Sequence, residues 1–145
     1  MTNKEYITAY QKTKFSTNSV KSSHEIIREL MFQLSNSLQK IIIDINETSI
    51  DQVEHKYISK KEVALKKSKN MSKCLTIIYG LQTSLDFDNA PDIAGNLFQL
   101  YEFARQQVIK GFTNKDAGGV QQALEIIREI LNGWKDISVQ VRTSQ

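Results

Sequence analysis

Few side chains in this sequence have the types and spacing that catalysis or metal binding requires. The candidates are two histidines, His24 and His55, and the single cysteine, Cys74, and their separations do not match the closely paired ligands of a zinc site. The sequence also contains no glycine-rich phosphate loop and no nucleophile elbow. These observations predict a protein without catalytic residues, metal or cofactor.

His55 leaves one catalytic alternative open, which is histidine phosphotransfer. Phosphotransfer domains are also four-helix bundles, and His55-Lys56-Tyr57 would lie on a helix of such a bundle. A reactive histidine needs a small neighbour to leave room for the phosphoryl group, and Ser59 is the only candidate nearby. His24 falls in the first turn of a predicted helix and is interpreted as a surface residue.

Positive charge is concentrated in one segment of the chain. The whole sequence has a net charge of +3, whereas residues 51–73 hold seven lysines against Asp51, Glu54 and Glu62, a local charge of +4. A basic helix can bind nucleic acid or a membrane surface. This segment lacks arginine, and Tyr57 is its only aromatic residue. We therefore favour a solvated helix face and predict no nucleic-acid partner.

The composition predicts a globular protein of the cytoplasm. Of the 145 residues, 40% are hydrophobic and 24% are charged, a balance typical of a folded domain rather than a disordered chain. No run approaches the roughly 18–20 apolar residues of a membrane span, so no stable membrane insertion is expected. The N-terminus has no apolar core of the kind that a secretory signal needs, and a lone cysteine fits a reducing compartment.

Helical periodicity dominates the rest of the sequence. No segment alternates as a half-buried strand does, and apolar residues recur at spacings of three or four. This pattern predicts four amphipathic helices, at about 23–45, 64–85, 91–111 and 116–138. The second helix carries a predicted core stripe with Cys74 and Leu81 beside it; the stripe is formed by Ala64, Ser68, Met71, Leu75, Ile78, Gln82 and Leu85.

Local signals mark where these helices begin. Ser22 and Glu25 have the spacing of a capping box, and Asn89 stands where the N-cap of the third helix is expected, with Pro91 in the first turn. The fourth helix begins weakly, because Gly118 and Gly119 have poor helix propensity and predict a frayed first turn.

The short connections between the last three helices favour an all-α fold, an antiparallel four-helix bundle. We expect one domain over residues 1–145, with a short N-terminal segment at 1–21 packed on the bundle and a loose polar tail at 138–145.

The third helix is apolar on more than one face, from Leu97 to Phe112. Such a helix is either central in the core or bears a second apolar surface for a partner. Because each helix of a four-helix bundle keeps an exposed side, an uncovered apolar groove is favoured. Within this helix, Leu97 and Leu100 are predicted to face the core.

Several motifs along the chain occur in the order that a known family has them. They are Ala9-Tyr10-Gln11 near the start, the turn Ser84-Leu85-Asp86, a helix with Ile93-Ala94, Leu97, Leu100-Tyr101 and Phe103, and Gly133-Trp134 near the end of the closing helix. In this arrangement the sequence resembles the flagellar secretion chaperone family FliS over nearly its whole length. Three departures stand out: His24 replaces a proline of the family, Phe103 replaces a tyrosine, and the stretch at 46–61 is longer. A divergent helical adaptor, or a paralogue that binds another flagellar or regulatory protein, remains an alternative.

The resemblance implies a binding protein rather than an enzyme. Chaperones of this family hold the disordered C-terminal segment of flagellin, prevent its premature polymerisation and contact a component of the flagellar export gate. The N-terminal segment, with Tyr10, either stabilises the bundle or acts as a movable cover over the client groove, and the resemblance favours the cover. On this basis the predicted partner-binding residues are Ile7, Tyr10, Phe98, Tyr101, Phe103, Arg105 and Ile109.

Overall fold

Four long helices make up almost all of the described chain. The computed structural model describes residues 9–10, 23–48 and 59–143, and the side chains of the last helix as far as Trp134. The helices are α1 (Ser23–Thr48), α2 (Lys60–Thr83), α3 (Pro91–Asn114) and α4 (Ala117–Thr143), and no strand occurs within these ranges. The predicted all-α fold is therefore confirmed.

The helices pack in a ring in which each one contacts two neighbours, in the order α1, α2, α3, α4 and back to α1. The α1–α4 and α3–α4 contacts are the most extensive, and the α2–α3 contact is the least extensive of the four. Short links at 84–90 and 115–116 return the chain beside the helix it has just left, as in an antiparallel bundle. Over the part of the chain that is described, none of these helices has the length and hydropathy of a membrane span.

The core lies along the common axis of the bundle and is built from one face of each helix. Burying a large apolar side chain contributes ~1.5–3 kcal/mol relative to leaving it exposed, so this core is the main source of stability. Trp134, which is 1% exposed, is part of it. The largest fully buried side chains are Ile27, Met31, Leu34, Leu38, Ile78, Leu81, Leu97, Tyr101, Leu124, Ile127 and Trp134.

Helix α2 differs from the prediction in its buried face. Ala64 and Ser68, assigned to the core stripe, are exposed, and the first buried residue of this helix is Met71. From Met71 onward the predicted stripe is confirmed, since Ile78 and Gln82 are buried together with the flanking Cys74 and Leu81. The prediction was wrong only in the lysine-rich first half of the helix, which has few apolar positions from which to judge where burial begins.

The link between α2 and α3 is organised by a buried carboxylate. Asp86 has no exposed surface, and its Oδ1 accepts hydrogen bonds from the backbone N–H groups of Asp88 (3.2 Å) and Asn89 (3.0 Å). Asn89 also donates from its side chain to Asp86 Oδ2 at 2.6 Å. The N-cap of α3 is Ala90, so the prediction of Asn89 as N-cap was wrong, whereas Pro91 does occupy the first turn. No side chain caps α3, and Asp86 instead stabilises the turn that precedes the helix.

Glycines bring α3 and α4 into close contact. A Cβ placed on Gly111 would lie 2.6 Å from Val120 Cγ2 and 2.7 Å from Asp116 O, and one on Gly119 would lie 3.2 Å from Gln107 O. Helix α4 begins at Ala117 and includes both glycines of the predicted weak start, where Gly119 allows close helix–helix approach at a cost in helix propensity. The link itself turns through Lys115, which has the left-handed φ of 55°.

Two helices, α1 and α4, extend past their predicted C-terminal ends. Helix α1 continues to Thr48 and α4 to Thr143, beyond the expected ends near residues 45 and 138. The segment 138–143 is thus helical in backbone rather than irregular. Ser22 of the predicted capping box lies outside the described residues, while α2 begins with Ser59 as N-cap, whose side chain accepts a hydrogen bond from Glu62 N–H at 3.2 Å.

Candidate partner-binding surface

Ala9 and Tyr10, here called the docked segment, are bound to the bundle where α2 ends. Tyr10 is 5% exposed, and its hydroxyl donates to Leu81 O at 3.2 Å and lies 2.9 Å from the hydroxyl of Tyr101. Ala9 O accepts a hydrogen bond from Asp86 N–H at 2.7 Å. The docked segment therefore covers Tyr101 and is held by three polar contacts as well as by burial.

The bond to Leu81 has a local cause in the end of α2. In a continuing helix Leu81 O would accept from Leu85 N–H, but that group bonds Gln82 O at 3.3 Å because the chain turns. The last carbonyls of a helix lack partners within it and need them from elsewhere. Tyr10 supplies one such partner. Burial raises the pKa of its phenol well above the usual value, so it stays protonated and able to donate.

The ring of Tyr10 in the docked segment and two rings of the bundle, those of Trp134 and His24, form a column. Tyr10 meets Trp134 edge-to-face with 5.2 Å between ring centroids, and His24 stacks on Trp134 at 4.4 Å with only 10° between the planes. Trp134 Nε1 donates to His24 O at 2.9 Å. The column thus joins the N-terminal residues, the start of α1 and the closing helix α4.

His24 is not the surface residue that the sequence indicated. Its Nε2 is buried and has no hydrogen-bond partner among the described residues. Burial lowers the pKa of this imidazole, the positive charge of Arg28 lowers it further, and Glu25 acts in the opposite direction. The neutral form is therefore favoured in the folded protein, as stacking on an indole in a partly dry site requires.

Helix α3 has two edges that flank its buried face. One edge, the α2-facing stripe, consists of Phe98, Glu102, Arg105 and Ile109, at successive spacings of four, three and four. Gln82 of α2 fixes its direction, since its Nε2 donates to Phe98 O at 3.4 Å and to Glu102 Oε2 at 3.2 Å. Phe98 and Ile109 are half-buried hydrophobic side chains packed against the core.

The opposite edge, the α4-facing stripe, consists of Leu100, Phe103, Gln107 and Gly111. The contacts of Gln107 and Gly111 with α4 fix its direction. Leu100 and Phe103 are 37% and 43% exposed, so two large apolar side chains face solvent here. The prediction that Leu100 faces the core was wrong, because it lies on the edge of the helix rather than on its buried face.

A polar network interrupts the α2-facing stripe. Arg105 binds the carboxylate of Glu102 with both Nε (2.9 Å) and Nη2, and Gln82 donates to the same carboxylate. Gln106 adds a weaker contact at 3.4 Å. These hydrogen bonds, chiefly those from Arg105 and Gln82, lower the pKa of Glu102 to about 2. Glu102 is thus an anion at any physiological pH.

The predicted partner-binding residues separate into distinct places. Phe98, Arg105 and Ile109 lie together on the α2-facing stripe, and Phe103 lies on the α4-facing stripe. Tyr101 is fully buried beneath the docked segment. Ile7 lies outside the described residues, as does His55 of the phosphotransfer alternative.

Some surface residues were missed by the sequence reasoning. Tyr79 of α2 is 66% exposed, and Phe87 is 46% exposed and meets Phe98 edge-to-face at 6.1 Å. Phe87 directly follows the turn motif, and Tyr79 lies four residues after Leu75 on α2. The sequence pattern did not identify either side chain as exposed, because that depends on which face of α2 is buried.

Among the described residues, Cys74 and the possible metal ligands are the other candidates for chemistry. Cys74 is buried, and that burial raises the pKa of its thiol to about 12, so the reactive thiolate is not formed. The described residues contain no group of three or more histidine, cysteine, aspartate or glutamate side chains arranged to hold a metal ion.

Comparison with known proteins identifies the family to which this chain belongs. A family model described as flagellar protein FliS matches residues 3–141, nearly the whole chain. This chain belongs to the FliS family. It is similar to the flagellar secretion chaperone FliS of Vibrio cholerae serotype O1, with 28% identity over 130 residues, or 89% of this chain and 85% of the relative.

Two further relatives of the FliS family match over shorter spans. The flagellar secretion chaperone FliSB of Pseudomonas aeruginosa is 31% identical over 68 residues, 47% of this chain and 54% of its own length. FliS of Salmonella typhimurium is 30% identical over 73 residues, 50% of this chain and 54% of its own length. The predicted family is therefore confirmed, and it is a family of chaperones in flagellar export rather than of enzymes.

Proposed function

We propose that this FliS-family protein is a cytoplasmic export chaperone. It binds the disordered C-terminal segment of flagellin, prevents its premature polymerisation and delivers it to a component of the flagellar export gate. The observation that carries this proposal is the pair of stripes on α3, which leave apolar side chains open to solvent at both edges of one helix.

The geometry suits a client that folds as it binds. An amphipathic helix is recognised by laying its apolar face into a hydrophobic groove between helices. The α2-facing stripe lies beside the least extensive helix contact of the bundle. Ordering a disordered segment costs ~2–5 kcal/mol of the gross interaction, so a client needs more than one such apolar surface, and α3 has two.

The docked segment acts in this proposal as a movable cover. It occupies the surface of Tyr101, between the two stripes, with a side chain that is itself amphipathic. A client that contacts Tyr101 must displace Tyr10 first. Competition of this kind weakens client binding by the free energy of undocking. It also keeps the apolar site covered when no client is bound.

The test is calorimetric titration of the C-terminal flagellin segment from the same genome against the full chain and two variants, Phe103→Ser and Ile109→Ser. Each variant should weaken binding by ~1–3 kcal/mol, roughly tenfold or more, because each removes apolar contact from one stripe. Thermal unfolding of each variant serves to show that the bundle remains intact.

Phe32→Ser is the matched control. Phe32 is 50% exposed and lies on α1, which is not a neighbour of α3 in the ring. Its replacement removes a comparable exposed ring and should leave the affinity unchanged. If the wild-type chain does not bind the segment with a Kd below ~10 μM, on the usual scale of transient complexes, the flagellin assignment fails.

A further inference from the structure

The network at Glu102 leaves an asymmetric set of hydrogen-bonding groups on the α2-facing stripe. An ionised carboxylate has about four lone-pair positions for acceptance. Here they meet four donors, namely Nε and Nη2 of Arg105, Nε2 of Gln82 and Nε2 of Gln106. Glu102 is therefore already satisfied and has no capacity left for a partner.

Arg105 retains the opposite capacity. A guanidinium group carries five N–H donors in one plane, and Glu102 engages two of its nitrogens along one side. The remaining donors point away from Glu102 because the group is planar. Arg105 makes no other hydrogen bond or ion pair among the described residues, and its side chain is 38% exposed.

We infer that Arg105 is a specificity-determining residue, which binds an acidic side chain of a client helix that lies along the α2-facing stripe. Glu102 and Gln82 are positioning residues, since Gln82 donates to the Glu102 carboxylate, which in turn holds one side of the guanidinium plane and leaves the other side open. The inference rests on the proposed function and adds to it a chemical requirement on the client. An arginine fixed by one carboxylate and open on the other side suits planar recognition of a second carboxylate.

The spacing of the stripe defines the sequence pattern that such a client would have. Phe98 and Ile109 lie 11 positions apart, about 16 Å along a helix at ~1.5 Å per residue. Arg105 lies seven positions from the first and four from the second. A client helix running along this stripe would carry two apolar residues about 11 positions apart, with an aspartate or glutamate about four positions from one of them.

The charge of the surrounding helix supports an acidic partner. The first half of α2, residues 60–73, holds six lysines and one glutamate. No residue of this helix before Met71 is buried. These lysines make the first half of α2, the helix that the stripe faces, positively charged. The alternative is that Glu102 and Arg105 form only an exposed ion pair that stabilises α3 and has no role in binding.

A double-mutant cycle with the flagellin C-terminal segment separates these cases. Arg105→Gln should raise the Kd of the unmodified segment about three- to tenfold, the range for a partly exposed charge contact. Each aspartate and glutamate of the segment is then neutralised in turn to asparagine or glutamine. For one such peptide, Arg105→Gln should change the Kd by less than about 1.5-fold, because the contact is already absent.

Two controls make the result specific. Lys110→Gln removes the same charge from an exposed position of α3 and should leave the Kd within about 1.5-fold, which accounts for general electrostatic attraction. Glu102→Gln should weaken binding in the wild-type background but add nothing in Arg105→Gln, as expected of a residue that acts through Arg105.

The outcomes are distinguishable from those of the proposed function. If the unmodified segment does not bind the wild-type chain, the flagellin assignment itself fails. If it binds and Arg105→Gln leaves the Kd unchanged, or if no neutralised peptide removes the effect of Arg105→Gln, the assignment of Arg105 is overturned while the chaperone proposal stands.

Discussion

The hydroxyl of Tyr10 can be removed without disturbing the packing of its ring. Tyr10→Phe keeps the edge-to-face contact with Trp134 and deletes the hydrogen bonds to Leu81 O and to the hydroxyl of Tyr101. Leu81 O then has no partner at the end of α2. Leaving a buried polar group unpaired costs about 1–3 kcal/mol, so the docked state should lose free energy of that size relative to the undocked state.

The effects on stability and on client binding should have opposite signs. The free energy of unfolding should fall. The loss cannot exceed the docking free energy, because a variant with a larger penalty would simply undock the segment and remain folded. Client affinity should rise, since a ligand that binds only the undocked state is weakened in proportion to the rarity of that state. Destabilising the docked state by ~1.4 kcal/mol corresponds to about a tenfold lower Kd.

The assay pairs urea unfolding with calorimetric titration of the flagellin C-terminal segment. Tyr79→Phe is the control, because Tyr79 is 66% exposed and loses a hydroxyl without a buried partner; it should change neither quantity. If Tyr10→Phe weakens client binding, Tyr10 is part of the client surface and not a cover. If the Kd stays unchanged while stability falls, the docked segment remains in place during binding.

Three further predictions address the bundle itself. Gly111→Ala should cost more than about 1 kcal/mol because its Cβ would meet backbone and side-chain atoms of the α3–α4 turn, whereas Gly95→Ala, where nothing lies within 4 Å, should stabilise by up to about 1 kcal/mol; urea midpoints compare the two. The pKa of His24 is lowered on folding, so the stability it contributes is complete above the ordinary imidazole pKa of about 6.5 and is lost as the pH falls below that value and through the lower pKa of the folded state. His24→Phe should keep the stack on Trp134 and flatten the pH dependence of the unfolding midpoint between about pH 7 and 5. Cys74 should react with a thiol reagent only as fast as the bundle opens, and an equally rapid reaction in native and urea-unfolded protein would contradict its burial.

The helices and most of the core were predictable because apolar spacing records the buried face directly. Helix α1 begins at the predicted residue and continues only a little past its predicted end. The prediction failed where that record is weak. The lysine-rich start of α2 has few apolar positions, so Ala64 and Ser68 were wrongly assigned to the core, and Leu100 satisfies the helical period although it lies on an edge.

The candidate surface was only partly predictable. The sequence indicated surplus apolar residues on α3, but not that they divide between two edges, because that division depends on where α2 and α4 lie. The bond between Tyr10 and Tyr101 joins residues 91 positions apart, and no local pattern encodes such a contact. The unpaired donors of Arg105 likewise depend on a three-dimensional arrangement with Glu102 and Gln82.

The glycine contact between α3 and α4 makes these two helices one mechanical body. With Gly111 and Gly119 allowing backbone atoms to meet across the pair, a slide of one helix along the other would drive side chains into main chain. Neither glycine can be displaced without a clash, so the α4-facing stripe has a fixed width. The opposite wall, at the sparse α2–α3 contact, has no such constraint. If the chain binds client helices as proposed, adjustment to helices of different width is therefore expected from α2, while the α3–α4 pair stays rigid.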